Sequence, residues 1–378
     1  MKKTYSTALL KVTCLLALVF LEFNGLCQSK YGVNYWQSNT KNTQATSIVF
    51  SPDGQQMVVG YSNGQLKLWE VNSGKLIKRY PKQNAPIQCM AYSPNGDKIL
   101  LGLEEFAGAI NVKLLKARSG KLLNAFNGGS EGINFVGFSP DGNQMIIGNP
   151  GDGKLGIWNL LDKKPIETFS ASLYPNPIAA VFLAGNKVLF RRNSAIIFKN
   201  LQAKSNYRKI TYPTLNKTFS EVTNFSLSPD QKNILIGNED HPVKLWRIKD
   251  KKLMHTFGTN QKESIGIFSP SGKSIVTYDN SQQLKIWKAK KQKLITSIEM
   301  KSKPTQVEFS PDGQYLFTMH QFAEIRVAKT GKLKHNFGQN KDIKQAWFSP
   351  DSQSIATRDN TGKISLWDAK TGKLIRKF

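Results

Sequence analysis

Apolar residues along this chain come in short runs, and polar residues separate them at nearly constant distance. Runs such as Met57-Val58-Val59, Ile99-Leu100-Leu101 and Met145-Ile146-Ile147 are continuous rather than alternating. Continuous apolarity over so few residues predicts a strand covered on both faces, as when neighbouring sheets stack. Further on comes a strand carrying tryptophan: Leu68-Trp69, Ile157-Trp158, Leu245-Trp246, Ile286-Trp287 and Leu366-Trp367. A turn follows, often with glycine (Ser73-Gly74, Ser119-Gly120, Thr330-Gly331, Thr371-Gly372). A last strand then opens on Lys-Leu, as in Lys75-Leu76-Ile77, Lys121-Leu122-Leu123, Lys252-Leu253-Met254, Lys293-Leu294-Ile295 and Lys373-Leu374-Ile375. Beyond the first residues no segment repeats at helical period, so the pattern predicts an all-β chain.

A turn phrase sets the phase of these runs. It reads Phe50-Ser51-Pro52-Asp53-Gly54, then Tyr92-Ser93-Pro94-Asn95-Gly96 and Phe138-Ser139-Pro140-Asp141-Gly142. It returns at Leu227-Ser228-Pro229-Asp230, Phe268-Ser269-Pro270-Ser271-Gly272, Phe309-Ser310-Pro311-Asp312-Gly313 and Phe348-Ser349-Pro350-Asp351, with a worn copy at Phe182-Leu183-Ala184-Gly185-Asn186. The leading residues are spaced 42, 46, 44, 45, 41, 41 and 39 apart. Proline presets φ for a type I turn, Ser and Asp suit its neighbours, and Gly takes the positive φ that follows. Eight hairpins at the period of a four-stranded unit predict one repeat architecture rather than several domains.

Strand, Ser-Pro-Asp-Gly turn, apolar strand, Trp-bearing strand, Thr-Gly-Lys-Leu turn and strand together resemble the WD-repeat β-propeller family, in the form of a bacterial-type secreted member. The resemblance covers residues 44–378 and implies one propeller of eight four-stranded blades. Only Trp367-Asp368 keeps the eponymous dipeptide; Glu70, Asn159, Arg247 and Lys288 follow the other four tryptophans of the Trp-bearing strands, and Leu115, Phe198 and Arg326 replace tryptophan in the remaining blades. The family's Gly-His pair is absent throughout, so its buried Asp-His-Ser/Thr-Trp network is not expected to form. Tyr31 to Trp36 either adds a strand beside the last blade or merely packs.

The N-terminus reads as an export signal. Lys2, Lys3 and Lys11 precede Val12–Leu21, an apolar run too short for the roughly 20 residues of a bilayer span. Gly25-Leu26-Cys27 places cleavage after Cys27, giving a signal peptide at 1–27, a lead segment at 28–43 and a secreted or periplasmic protein without a transmembrane span. A lipoprotein would keep Cys27 as its anchor, but Leu26 stands where that motif wants a small residue. Cys89 alone then remains, in a strand context that suits a buried apolar side chain better than a reactive thiol. Lys and Arg number 53 against 26 Asp and Glu, a net charge of +27 that becomes +25 after cleavage. Such an excess attracts polyanions whatever else the protein does.

No set of residues reads as catalytic. Gly60-Tyr61-Ser62-Asn63-Gly64 and Gly128-Gly129-Ser130-Glu131-Gly132 match a nucleophile-elbow pattern but lie between strands, with no helix to follow. Gly151 to Gly156 matches a dinucleotide fingerprint yet enters a Trp-bearing strand, which makes it a turn. The four histidines fall in different repeats without metal-ligand spacing, and no cofactor or metal site is expected. His255 and His335 read as outer-strand surface residues, whereas His241 and His320 fall in turns that face a partner. Ten residues past each marker the repeat calls for Gly, met by Gly60, Gly102, Gly148 and Gly237; Arg192, Tyr278, Met319 and Arg358 stand there instead. With Phe106, Tyr174, Phe219 and Phe322 in neighbouring loops, these define a candidate protein-binding face.

A second candidate is basic: Lys249, Lys251, Lys252, Lys288, Lys290, Lys291 and Lys293 gather at turns into fourth strands. That face suits a polyanion or anionic surface, although lysines on edge strands equally serve to block aggregation. No dedicated nucleic-acid motif is present. The sequence therefore points to a non-catalytic scaffold for protein–protein interaction outside the cytoplasm, with polyanion binding as the alternative.

Overall fold

The computed structural model describes residues 43–378 apart from 105–109, 130–131, 150–152, 163, 171–179, 193–194, 203–206, 212–221, 239–240, 259–264, 321 and 338–342. The signal peptide, all but the last residue of the lead segment, and Tyr31–Trp36 lie outside these residues. Every strand belongs to an antiparallel four-stranded sheet drawn from consecutive chain, eight sheets in all. The blades span Ala45–Arg79, Ile87–Phe126, Phe135–Ser170, Ala180–Thr211, Val222–Phe257, Ile265–Glu299, Gln306–Asn336 and Ile343–Lys377. The eight-bladed all-β propeller is thus the observed architecture, and blade 8 is complete from its own four strands.

The turn phrase explains why the first hairpin of each blade forms. Ser51 Oγ donates to Asp53 Oδ1 at 2.5 Å and accepts the Gln56 N–H at 2.9 Å, while Asp53 Oδ1 accepts the Gln55 N–H at 3.0 Å. The same three bonds recur around Ser139, Ser228, Ser310 and Ser349. Burial alone would raise the Asp141 carboxyl, but hydrogen bonds from Ser139 and Asn143 hold it below the usual range. Gly54 follows with φ of 73°. Blades 5 and 8 keep the phrase without its glycine, and Gln231 (φ 55°) and Ser352 (φ 62°) take the left-handed conformation. Each substitution costs about 1 kcal/mol of backbone strain.

The described residues fall into two units, those up to 190 with 199–202 and 361–364, and those of 191–198 with 207–360 and 365–378. In the first, the second strands of blades 2 and 3 supply the core, with Leu100, Met145 and Ile147 buried beside Phe126 and Ile133. Cys89 is buried there too, its thiol donating to the Ile133 carbonyl at 3.5 Å, in keeping with a packing role. In the second unit, blades 6 and 7 share Val276, Ile286, Val307 and Leu316, and blade 7 meets blade 8 through Phe317, Ile325 and Phe348.

The outer edges share a device that the apolar pattern concealed. In blades 1–3 and 5–8 the pairing of third and fourth strands slips by one residue at the tryptophan position. The extra residue is Ile77, Leu123, Ile166, Met254, Ile295, Lys334 or Ile375. A bulge bends and twists the edge it occupies, which hinders pairing with another sheet. It also turns aliphatic side chains outward: Leu253, Met254, Leu294, Ile295, Leu374 and Ile375 are 37 to 43 % exposed.

Candidate functional site

The ends of the second strands divide the expected partner-binding residues into two groups. A Cβ on Gly60 would lie 2.6 Å from Ile87 Cγ2, and one on Gly102 would lie 2.8 Å from Ile133 Cγ2. Gly60 therefore makes room for the first strand of the next blade, and Gly102 makes room for Cys89 of its own blade and for Ile133, which precedes the next blade's first strand. Tyr278 and Met319, at the same position, are buried in the clusters that join their blades to the next. They fill that space with their own bulk, which corrects their placement on an exposed face. Arg192 is exposed, and Arg358 is half-buried with Nη2 donating to Gln345 Oε1 at 2.7 Å. His241 and Phe322 are half-buried. Phe106, Tyr174 and Phe219 lie outside the described residues.

His320 also departs from expectation. Its side chain is 4 % exposed, and Nε2 lies 3.5 Å from Glu324 Oε2. The same oxygen accepts from Arg326 Nη2 at 2.6 Å, while Arg326 Nη1 donates to the Gly331 carbonyl at 3.2 Å. Phe322 closes over the histidine edge-on with ring centres 6.0 Å apart, and Lys301 Nζ stands 5.9 Å from the Phe322 ring. Thr318 Oγ1, His320 Nδ1 and Arg326 Nε are buried without a hydrogen-bond partner. The turn position that put His320 on a candidate face was right, but the short hairpin folds its ring inward onto Glu324. On the blade's other side Glu308 is buried, with the Gln306 amide donating to it at 2.9 Å. Burial pushes its carboxyl up to about 8, so it is largely protonated at neutral pH.

Gln306 clamps two blades at once, since Nε2 donates to the Ala346 carbonyl at 2.7 Å and Oε1 accepts the Ala346 N–H at 3.1 Å. Asn224 does the same for Gly266, at 3.3 and 2.9 Å. Both amides stand three residues before their markers. That regularity was readable in the sequence and was missed.

The basic residues are exposed, all seven of Lys249, Lys251, Lys252, Lys288, Lys290, Lys291 and Lys293. Across the four turns of the second unit (247–252, 288–293, 327–332 and 368–373) Lys and Arg number four, four, two and two, against Asp250 and Asp368 alone. Those two acids are used locally. Asp368 Oδ1 accepts the Thr371 N–H at 2.6 Å and its hydroxyl at 2.7 Å, and Asp250 pairs with Arg247 at 3.0 Å. Blade 6 has Lys288 at the capping position and no acid anywhere in its turn, which Gln292 closes at φ 49°. His335 is not a bare surface residue either, because Nε2 meets the Lys370 carbonyl at 2.7 Å. His255 stacks edge-on against Phe257, and burial lowers its pKa.

Among the described residues no group of His, Cys, Asp or Glu is placed to hold a metal, and no helix is long and apolar enough to cross a membrane. Three sequence profiles match parts of the chain: the WD40 domain of anaphase-promoting complex subunit 4 over 15–95, the WD domain G-beta repeat over 120–159, and eukaryotic translation initiation factor eIF2A over 203–346. Among solved structures, the C-terminal WD40 domain of Sif2 superposes with a TM-score of 0.72 at 15 % identity, covering 86 % of this chain and 95 % of that one. The fold is that of a WD40 β-propeller. The computationally designed Ika8 protein is similar too, with a TM-score of 0.66 at 16 % identity over 86 % of this chain and 96 % of its own.

Within the WD40 propeller, part of the network expected to be absent is present after all. The Trp287 indole donates to Thr277 Oγ1 at 2.8 Å, and Trp367 does so to Thr357 Oγ1 at 2.8 Å. Losing the Gly-His pair removes the histidine but not this Thr–Trp bond, which needs a threonine nine residues past the marker and a tryptophan ten residues further on. Blade 5 has Ile236 there, and its Trp246 indole N–H is buried without an acceptor.

Proposed function

We propose that this WD40 propeller is a non-catalytic binding scaffold that works outside the cytoplasm and presents its turns and blade edges to a protein partner. One observation carries the reading. The exposed chemistry of the described surface is aliphatic pairs and lysines on edge strands and turns, which suits contact rather than bond-making. The histidine–carboxylate pair that would suit an enzyme, His320 with Glu324, is buried beside Arg326 as part of blade 7. Residence outside the cytoplasm rests on Lys2, Lys3 and the apolar run Val12–Leu21. Crosslinking in the native envelope followed by pull-down recovers a specific protein, and N-terminal sequencing of the exported chain begins at Gln28. Saturating crosslinking without a partner would overturn the scaffold, and an unprocessed N-terminus would overturn export.

A second reading, polyanion binding, is favoured by the imbalance at the turns of the second unit. It expects retention on a heparin-like polymer that weakens steeply with salt. Retention indifferent to salt would count against it.

A further inference from the structure

The fourth strand of blade 6 differs from its counterparts in length and charge. It runs Lys293–Glu299, seven residues, where the other fourth strands have four to six. Past the bulge its pairing is regular from Thr296 to Glu299, and among the described residues its other edge pairs with no strand. Lys288, Lys290, Lys291 and Lys293 crowd its start without a compensating acid. Blade 7 adds to them. A Cβ on Gly331 would lie 2.8 Å from Ile298 Cδ1 and 3.0 Å from Thr296 Cγ2, so the turn bearing Lys329 and Lys332 lies alongside. Leu294 and Ile295 are exposed beside this charge, 43 and 37 %.

Resting on the scaffold reading, we infer that this edge takes up an extended acidic segment of a protein partner, added as a fifth strand along Thr296–Glu299 with an aliphatic side chain packing on Leu294 and Ile295 at the bulge. An unpaired edge offers N–H and C=O groups that a peptide strand can pair with, while side chains give selectivity. Lysines on such an edge repel a second identical edge, so the guard against self-association leaves acidic strands as the favoured guests. A nucleic acid fits less well. Single-stranded chains bind through aromatic stacking platforms, whereas the large apolar side chains exposed among the described residues are all Ile, Leu or Met.

The test is fluorescence anisotropy of the full chain with a labelled peptide of alternating Glu and Val. It binds, and a Glu–Gly peptide of equal charge and a version N-methylated on alternate residues each bind about tenfold more weakly. Lys290→Glu with Lys291→Glu reduces binding about tenfold, Leu294→Ser with Ile295→Ser reduces it similarly, and Lys370→Glu with Lys373→Glu in blade 8 changes it little. Unchanged circular dichroism shows that each variant is folded. Equal binding of the Glu–Val, Glu–Gly and N-methylated peptides would reduce the site to bulk charge and overturn strand addition, as would binding of heparin or single-stranded DNA but no peptide. If no peptide binds and the blade 6 variant still captures the crosslinked partner, the site assignment falls while the scaffold stands. Loss of capture by wild type as well would mean that the scaffold reading itself had failed.

Discussion

Blades 6 and 8 flank blade 7, and the three solve the same packing problem differently. In the flanking blades a buried threonine on the second strand accepts the indole N–H of a tryptophan on the third. Blade 7 keeps the threonine, Thr318, but has Arg326 in the tryptophan's register opposite Leu316. The guanidinium does not bond Thr318; it reaches Glu324, directly across from Thr318, and His320 joins from the turn. Blade 8 thus holds a neutral pair, blade 6 holds the same pair beside the Lys285–Asp279 ion pair at 2.8 Å, and blade 7 replaces the pair with a buried charged group whose members depend on one another. Neutral pairs tolerate loss of one partner at modest cost, whereas removing one member of a buried ion pair strands the other charge.

The largest expected effect follows directly. Glu324→Ala leaves Arg326 without its carboxylate, 13 % exposed, and lowers stability by about 3–5 kcal/mol. A fall in thermal midpoint with faster amide exchange across blade 7 would be the readout. Converting the blade to its neighbour's pattern, Glu324→Ser with Arg326→Trp, gives Thr318 the partner that Thr357 has opposite Ser365 in blade 8. The double variant is more stable than Glu324→Ala, and equal or lower stability would show that blade 7 cannot accept the neutral pair.

Glu308 gives the next effect, and its sign follows from linkage. Its folded pKa of about 8 lies above the ordinary carboxyl value, so the folded state holds a proton that the unfolded chain releases. The contribution is fully present below the unfolded value and is lost as pH rises towards about 8. Between pH 5 and 7 the chain should lose on the order of 2–3 kcal/mol that Glu308→Gln does not lose. Parallel pH–stability curves for the two proteins would contradict this.

Threonine to valine separates the blades by sign. Thr357→Val orphans the Trp367 indole and costs about 1–2 kcal/mol, whereas Thr318→Val removes a hydroxyl that has no partner and is neutral or stabilising. Denaturation midpoints compared within one set of variants decide it, and equal losses would erase the distinction between the blades.

These contrasts also mark what the sequence disclosed. The hairpins were legible because Ser-Pro-Asp-Gly specifies its hydrogen bonds within six residues of chain, and Ser51 with Asp53 and Gln56 forms them as expected. The lysines at Lys288 to Lys293 were legible as exposed, since turns leave long charged side chains in water. Tyr278, Met319 and His320 were misread because their burial depends on what the next blade or their own turn places opposite them. A glycine at that position makes room for Ile87, or for Cys89 and Ile133, which only the folded neighbours reveal. The Thr–Trp bond was missed because it was sought as part of a network, when its two partners sit ten residues apart in one blade.

Blade 5 offers the smallest and most discriminating effect. It has the tryptophan of blades 6 and 8 in the same register, with Trp246 opposite Ile234, but Ile236 where they have threonine. Ile236→Val shortens a buried side chain and costs about 1 kcal/mol. Ile236→Thr removes the same methylene and buries a hydroxyl, which by itself costs a further 1–3 kcal/mol or so. If the geometry of blades 6 and 8 transfers, that hydroxyl accepts the Trp246 N–H, and the threonine variant lies within about 0.5 kcal/mol of the valine one. A threonine variant weaker than valine by the full desolvation cost would mean that the bond depends on its own blade's backbone, and that registry alone does not make it.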